Sequence, residues 1–276
     1  MLLLAAFASN CDAASRILVH GHRGARAVLP ENTIPAFEHA IEAGADLIEL
    51  DVLVTKDDVP VVVHDPTLNP LICKGPVSGS PSIRSLTLAE LRQWDCGSLR
   101  NPNFPRQTPV PGTRIPTLDE VFALAERGNF QFNVELKLFA KQPEYTPSPE
   151  KFAELVLAAI RRRGLEKRVV VQSFDFRPLH VMKRLAPEIP LAALDSSGKE
   201  DFVATAGRAG AKTIAPELRL VTPEKVKQAH EAGLQVVPWT ASTKEEWDRL
   251  IGAGVDAIIT DDPAGLIAHL KSRKLR

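Results

Sequence analysis

Short apolar runs rich in β-branched residues alternate along this chain with longer segments whose apolar positions recur at helical spacing. The runs "RILVH" (16–20), "DLIELDV" (46–52), "FQFNVELK" (130–137), "RVVVQSF" (168–174), "PLAALD" (190–195), "AKTIAP" (211–216), "LQVVPW" (234–239) and "VDAIIT" (255–260) read as strands. Between them, stretches such as "TIPAFEHAIEAG", "PEKFAELVLAAIRRRG", "TPEKVKQAHEAG" and "TKEEWDRLIGAG" read as helices, several opening on Thr or Pro and closing on Gly. Strand runs this apolar predict a parallel sheet covered on both faces. Eight strand and helix alternations in a chain of this length favour a closed (β/α)8 TIM barrel over an open doubly wound sheet.

One region breaks the rhythm. "VPVVVHD" (59–65) follows the Lys56-Asp57-Asp58 turn signal only a few residues after a strand, too close for a parallel crossover and suited to a hairpin at the barrel rim. Residues 66–116 are rich in Pro, Gly, Ser and Asn, with one helical piece at 87–94, and are expected as an insertion beside that rim. Residues 16–276 therefore read as one barrel domain.

Charge changes the picture only locally. The 34 Lys+Arg balance 34 Asp+Glu, so no global field favours nucleic acid or an anionic membrane, and recognition must come from a cluster. Cys11, Cys73 and Cys96 form an odd set without metal-ligand spacing, and none is expected to carry chemistry or to fix the redox compartment. The apolar run Leu2–Ala8 is too short to span a bilayer. Residues 1–15 fit either the remnant of a signal peptide or a flexible arm, since no Lys or Arg precedes the run; Cys11 resembles a lipoprotein acceptor, though Asn10 before it fits poorly. An exported, periplasmic location is favoured over a cytoplasmic one. No stable membrane insertion is expected, and nothing in the sequence sets an oligomeric state.

Residues two apart on a strand share a face, so Glu49 with Asp51, and Glu135 with Lys137, point to the same side. At the C-terminal strand ends of a barrel the three carboxylates can converge at the mouth, where a divalent cation with oxygen ligands, Mg2+ or Ca2+, relieves their repulsion. An ordinary salt-bridge network, Glu135 with Lys137 and Asp51 with Arg23, is the competing account of either pair taken alone. His22 ends the first strand and His64 ends the hairpin return, so both can face the same cup and divide general base and general acid duties. Arg23 and Lys137 supply fixed positive charge suited to a phosphate oxyanion. Gly21 and Gly24 let the backbone turn sharply, and His20 is expected to pack lower in the strand.

In order along the chain, "HRG", "PENT", "IELDV", "VVVHD", "NVELK", "QSF", "PWT" and "IITDDP" resemble the glycerophosphodiester phosphodiesterase family from about residue 17 to 265. The resemblance implies a metal-dependent barrel that hydrolyses glycerophosphodiesters to sn-glycerol 3-phosphate and an alcohol. It matches His22 and His64 to an acid/base pair, and Arg23 and Lys137 to phosphate contacts. Glu49, Asp51 and Glu135 match metal ligands, Glu31 a supporting acid near the metal, and Gln172, Trp239 and Phe174 the pocket lining. It further implies attack by the substrate's own glycerol hydroxyl through a cyclic phosphate, with leaving-alcohol preference in the "CGSLRNPNFPRQTPVPGTRIP" stretch. The alternatives are a lipid-directed phosphodiesterase of phospholipase D-like or phosphoinositide phospholipase C-like type, for which no docking surface is evident, and a non-catalytic phosphate-binding barrel. A Schiff-base enzyme using Lys137 is disfavoured, because three nearby acids would keep that amine protonated.

Overall fold

A computed structural model describes residues 16–77 and 79–276. The segment 1–15, with its signal-peptide reading and Cys11, lies outside the described residues.

Each expected strand forms. In chain order they are β1 (Leu18–Gly21), β2 (Leu47–Val54), β3 (Pro60–Val62), β4 (Gln131–Leu136), β5 (Val169–Ser173), β6 (Leu191–Asp195), β7 (Thr213–Pro216), β8 (Gln235–Val236) and β9 (Ala257–Thr260). All but β3 pair in parallel in the order β8-β7-β6-β5-β4-β2-β1-β9. Backbone bonds from Asp256 N–H to Val236 O (3.1 Å) and from Ile259 N–H to Pro238 O (3.0 Å) then join the two ends. The result is the (β/α)8 barrel expected from the alternation.

The period of two sorts the side chains. Val19, Ile48, Leu50, Val52, Phe132, Val134 and Val171 face outward into one large apolar core shared with Phe37, Phe152, Leu179 and Leu250 of the surrounding helices. The intervening positions line the lumen. There the chain places His20 and His22, Glu49 and Asp51, Asn133 and Glu135, and Gln172, so a polar column rises through an apolar wall. The helices are delimited as the sequence suggested: Thr33 caps α1 (Ile34–Ala43), which ends on Gly44 at φ 90°, a conformation suited to glycine.

Strand β3 returns antiparallel on β2, pairing Val52 with Val62 and Leu53 with Val61. The insertion that follows builds its own small core from Leu53, Val61, Leu68, Ile83, Leu91, Trp94 and Ile115. Its helical piece is shorter than the sequence pattern suggested, Leu88–Leu91, opened by a capping box of Thr87 with Glu90. Within this core Cys73 and Cys96 are joined as a disulfide across a separation of 23 residues. No pairing among the cysteines is foreseen from the sequence. Neither spacing nor local pattern marks the pair, because the insertion's tertiary path alone brings the two together. No helix among the described residues is long and apolar enough to cross a membrane.

Candidate active site

Adjacent registers put the carboxylates side by side at the C-terminal end of the barrel. Asp51 on β2 lies opposite Glu135 on β4, and Glu135 opposite Gln172 on β5. One carboxylate oxygen from each of Glu49, Asp51 and Glu135 lies within 4.8 Å of the others, and all three residues are buried. Each is held differently. Glu49 accepts from the Arg23 backbone N–H through Oε2 (2.9 Å) and from Gln172 Nε2 through Oε1 (3.1 Å). Asp51 accepts from Asn32 Nδ2 at 2.8 Å, and Glu135 sits 3.0 Å from Lys137 Nζ.

The electrostatics follow from this packing. Burial, then repulsion from Asp51 and Glu135, pushes the Glu49 carboxyl well above its ordinary range. Burial also lifts Glu135, against the pull of Lys137. Burial by itself would raise Asp51 as well, yet the charges of Arg23, His64 and Lys137 and the Asn32 bond hold it well below the usual carboxylate range. Lys137, which burial would lower, is instead raised by Glu135 and Asp51 and stays an ammonium. The salt-bridge network weighed from sequence is therefore present too, with Lys137 Nζ 3.5 Å from Asp51 Oδ1 and Arg23 Nε 3.1 Å from Asp51 Oδ2. It does not saturate the site: Arg23 Nε is not aligned to bond that oxygen.

His22 leaves β1 facing this cluster. Its Nδ1 lies 2.6 Å from Asp261 Oδ1, and its Nε2 is 4.0 Å from Glu49 Oε2. Asp261 is held as a carboxylate: burial raises it, but the bond to His22 and the charge of Arg26, whose Nε is 3.0 Å away, win. A carboxylate only accepts, so Nδ1 carries the ring proton and Nε2 offers its lone pair to the cavity. Burial lowers the His22 pKa to about 4 despite Asp261, so the ring is neutral at physiological pH. His64, at the end of the hairpin, repeats the arrangement at the rim with Nδ1 2.7 Å from Asp65 Oδ1, while Asn69 Nδ2 bonds the other oxygen of Asp65 at 3.0 Å.

His22, Arg23, Glu49, His64, Glu135, Lys137, Gln172 and Trp239 all line one cavity of about 220 Å3. Trp239 walls it from one side, anchored by its Nε1–H to Ala215 O (2.8 Å) and packed edge-on against Phe174 with centroids 5.4 Å apart. Asp51 is outside this lining and lies 3.5 Å from Lys137 Nζ. Glu31 is set back from the carboxylate cluster and bonds Arg23 at 2.6 Å. Sequence reasoning assigned no role to Asn32, Asp65, Arg26, Asp261 or Thr240. Asn32, Asp65, Asp261 and Thr240 stand inside motifs already singled out, "PENT", "VVVHD", "IITDDP" and "PWT"; the partners of Asn32, Asp261 and Thr240 lie far off in sequence, whereas Asp65 bonds its neighbours His64 and Asn69.

A profile of the glycerophosphoryl diester phosphodiesterase family matches residues 22–265. The chain belongs to that family. It is similar to the glycerophosphodiester phosphodiesterase of Caldanaerobacter subterraneus subsp. tengcongensis, 37% identical over 252 residues that cover 91% of this chain and 97% of that one. A solved structure from Silicibacter pomeroyi DSS-3, provisionally named a glycerophosphoryl diester phosphodiesterase, shares 32% identity with a TM-score of 0.88 and covers 94% of each chain. The fold also matches, at a TM-score of 0.79 and 23% identity over 93% of this chain and 97% of that one, an Oleispira antarctica phosphodiesterase solved in complex with the product sn-glycerol-3-phosphate. The family's phosphodiesterase chemistry thus has a built cavity here, with carboxylates, imidazoles and cations on its walls.

Proposed function

We propose that this chain hydrolyses glycerophosphodiesters to sn-glycerol 3-phosphate and an alcohol, with His22 and His64 as the acid/base pair and one divalent cation, Mg2+ or Ca2+, on Glu49, Asp51 and Glu135. The observation that carries the reading is the single cavity lined by two imidazoles, each backed by a carboxylate, beside a buried cluster of three more carboxylates. The residues fit a hard cation. They offer only oxygen, and the burial and mutual repulsion that lift Glu49 and Glu135 are what a doubly charged ion relieves. Such an ion, when bound, polarises a phosphoryl oxygen and stabilises the charge that builds there.

The remaining work belongs to the chain. Arg23 and Lys137 hold the phosphate oxygens. Neutral His22 takes the proton of the attacking hydroxyl at Nε2 as the new P–O bond forms. His64, nearer solvent, gives a proton to the departing alkoxide as the old P–O bond breaks. Where the attacking hydroxyl is the substrate's own, water then opens the cyclic phosphate, His64 taking the proton of the water and His22 returning one to the ring oxygen that leaves. Trp239 and Phe174 wall the non-reacting end. A coupled sn-glycerol 3-phosphate assay over a panel of diesters, with EDTA and with Mg2+ or Ca2+ restored, tests the reading. Product release that ignores EDTA, or that survives His22→Ala, would overturn it.

We also propose an exported location, which the Cys73–Cys96 pairing supports because such bonds persist in oxidising compartments. Fractionation of the source cells with a thiol-labelling readout checks it, and a cytoplasmic pool of reduced chain would refute it.

A further inference from the structure

Below the catalytic cavity a second one, of about 210 Å3, occupies the lower lumen, and His20 and Asn133 line it. Gln172 lines both, so its side chain is the partition between them. A hydrogen-bonded file crosses that partition. Asn133 Nδ2 lies 3.4 Å from His20 Nδ1 and donates to Gln172 Oε1 at 3.0 Å, and Gln172 Nε2 donates to Glu49 Oε1 at 3.1 Å. His20, Asn133 and Gln172 are at most 5% exposed, and Asn133 Oδ1 has no partner among the described residues.

The direction of this file matters. A primary amide can present either its oxygen or its nitrogen. With its oxygen toward Glu49, Gln172 would set two acceptors against each other. By occupying Oε1 from below, Asn133 selects the orientation that donates. Burial lowers the His20 pKa to about 4, so the ring is neutral, and in the tautomer protonated at Nε2 its Nδ1 accepts from Asn133. Above, the Arg23 N–H fixes Glu49 Oε2, so both oxygens of that carboxylate are pinned.

We infer that Asn133 and His20 are positioning residues for Glu49, acting through Gln172, and that they set the cation affinity of the site from beneath. The inference rests on the cation reading above. It is tested by calorimetric titration of Mg2+, Ca2+ or Mn2+ into chelator-stripped protein, with circular dichroism to confirm the fold. Asn133→Ala and the isosteric Asn133→Asp, which loses the donor, should each weaken binding about 10- to 100-fold, as loss of a partner supporting a ligand typically does. At saturating cation, kcat should recover while KM for the diester stays near wild type. The Asn133→Ala and Gln172→Ala losses should fall well short of additive, because they break one file. Should Asn133→Ala not fold, His20→Ala carries the same test, with a loss at or below the lower end of that range, about 10-fold. Tight wild-type binding left unchanged in these variants overturns the inference alone. A wild-type chain that binds none of the three cations overturns the cation reading and this inference with it.

Discussion

Nδ1 of His22 lies 2.6 Å from Oδ1 of Asp261, at the far end of the chain's run through the barrel. The contact closes the circle in function as well as in fold, since β1 and β9 are neighbours. It fixes the tautomer that leaves Nε2 unprotonated. Asp261→Asn offers Nδ1 an amide in place of a carboxylate and lets the ring adopt the wrong tautomer. We expect kcat to fall by about 10²- to 10⁴-fold with unchanged circular dichroism, read in the coupled assay. A loss below tenfold would separate Asp261 from the chemistry.

His20 and His22 together give the fold an acid limit. Both have pKa values lowered to about 4 from 6.5, chiefly by burial. The folded state therefore binds fewer protons than the unfolded chain between these values. Their contribution is fully present above about pH 6.5 and is lost as pH falls toward 4, on the order of 3 kcal/mol for each ring. Urea unfolding in EDTA at pH 7 and pH 4.5 should show the drop, and His20→Leu should shrink it. A flat profile would mean that the rings are solvated.

Removing one carboxylate has opposite consequences for binding and for folding. Glu49 is pushed up by burial beside Asp51 and Glu135, so its charged form costs stability when no ion is bound. Glu49→Gln should raise the stability of chelator-treated protein by roughly 0.5–2 kcal/mol while abolishing the rise in Tm that Mg2+ or Ca2+ gives the wild type. Thermal melts with and without cation decide it. Equal destabilisation in both conditions would point to a packing role instead.

The Cys73–Cys96 bond closes a loop of 23 residues' separation. In the chain-entropy view it is worth about 3 kcal/mol, and that contribution is confined to the insertion. Cys73→Ala with Cys96→Ala should leave the barrel's far-ultraviolet signal intact and open residues 66–116 to limited proteolysis. Resistance equal to wild type would show that Trp94 and its neighbours hold the insertion unaided.

The barrel was legible because its strands announce themselves through β-branched runs bounded by Thr, Pro and Gly, and because period-two spacing sets Glu49 with Asp51 and Glu135 with Lys137. The hairpin was legible from Lys56-Asp57-Asp58. His20, expected lower in the strand, is indeed buried there. What could not be read was partnership. Asn32 bonds Asp51 and Asp261 orients His22 across distances in sequence that only the closed sheet brings to contact, whereas Asp65 orients the neighbouring His64 through a local turn of the chain. Glu31, expected as a supporting acid, bonds Arg23, a partnership set by the path of the loop. The disulfide escaped for the same reason.

His22 stands on the barrel wall, whereas His64 follows β3, whose Val62 packs in the large core of the barrel and whose Val61 packs in the small core of the insertion. One half of the proton-handling apparatus thus rests on the larger foundation alone, and the other straddles the larger and the lesser. On gradual heating the lesser foundation should give way first, so that turnover dies while the cylinder of strands still stands.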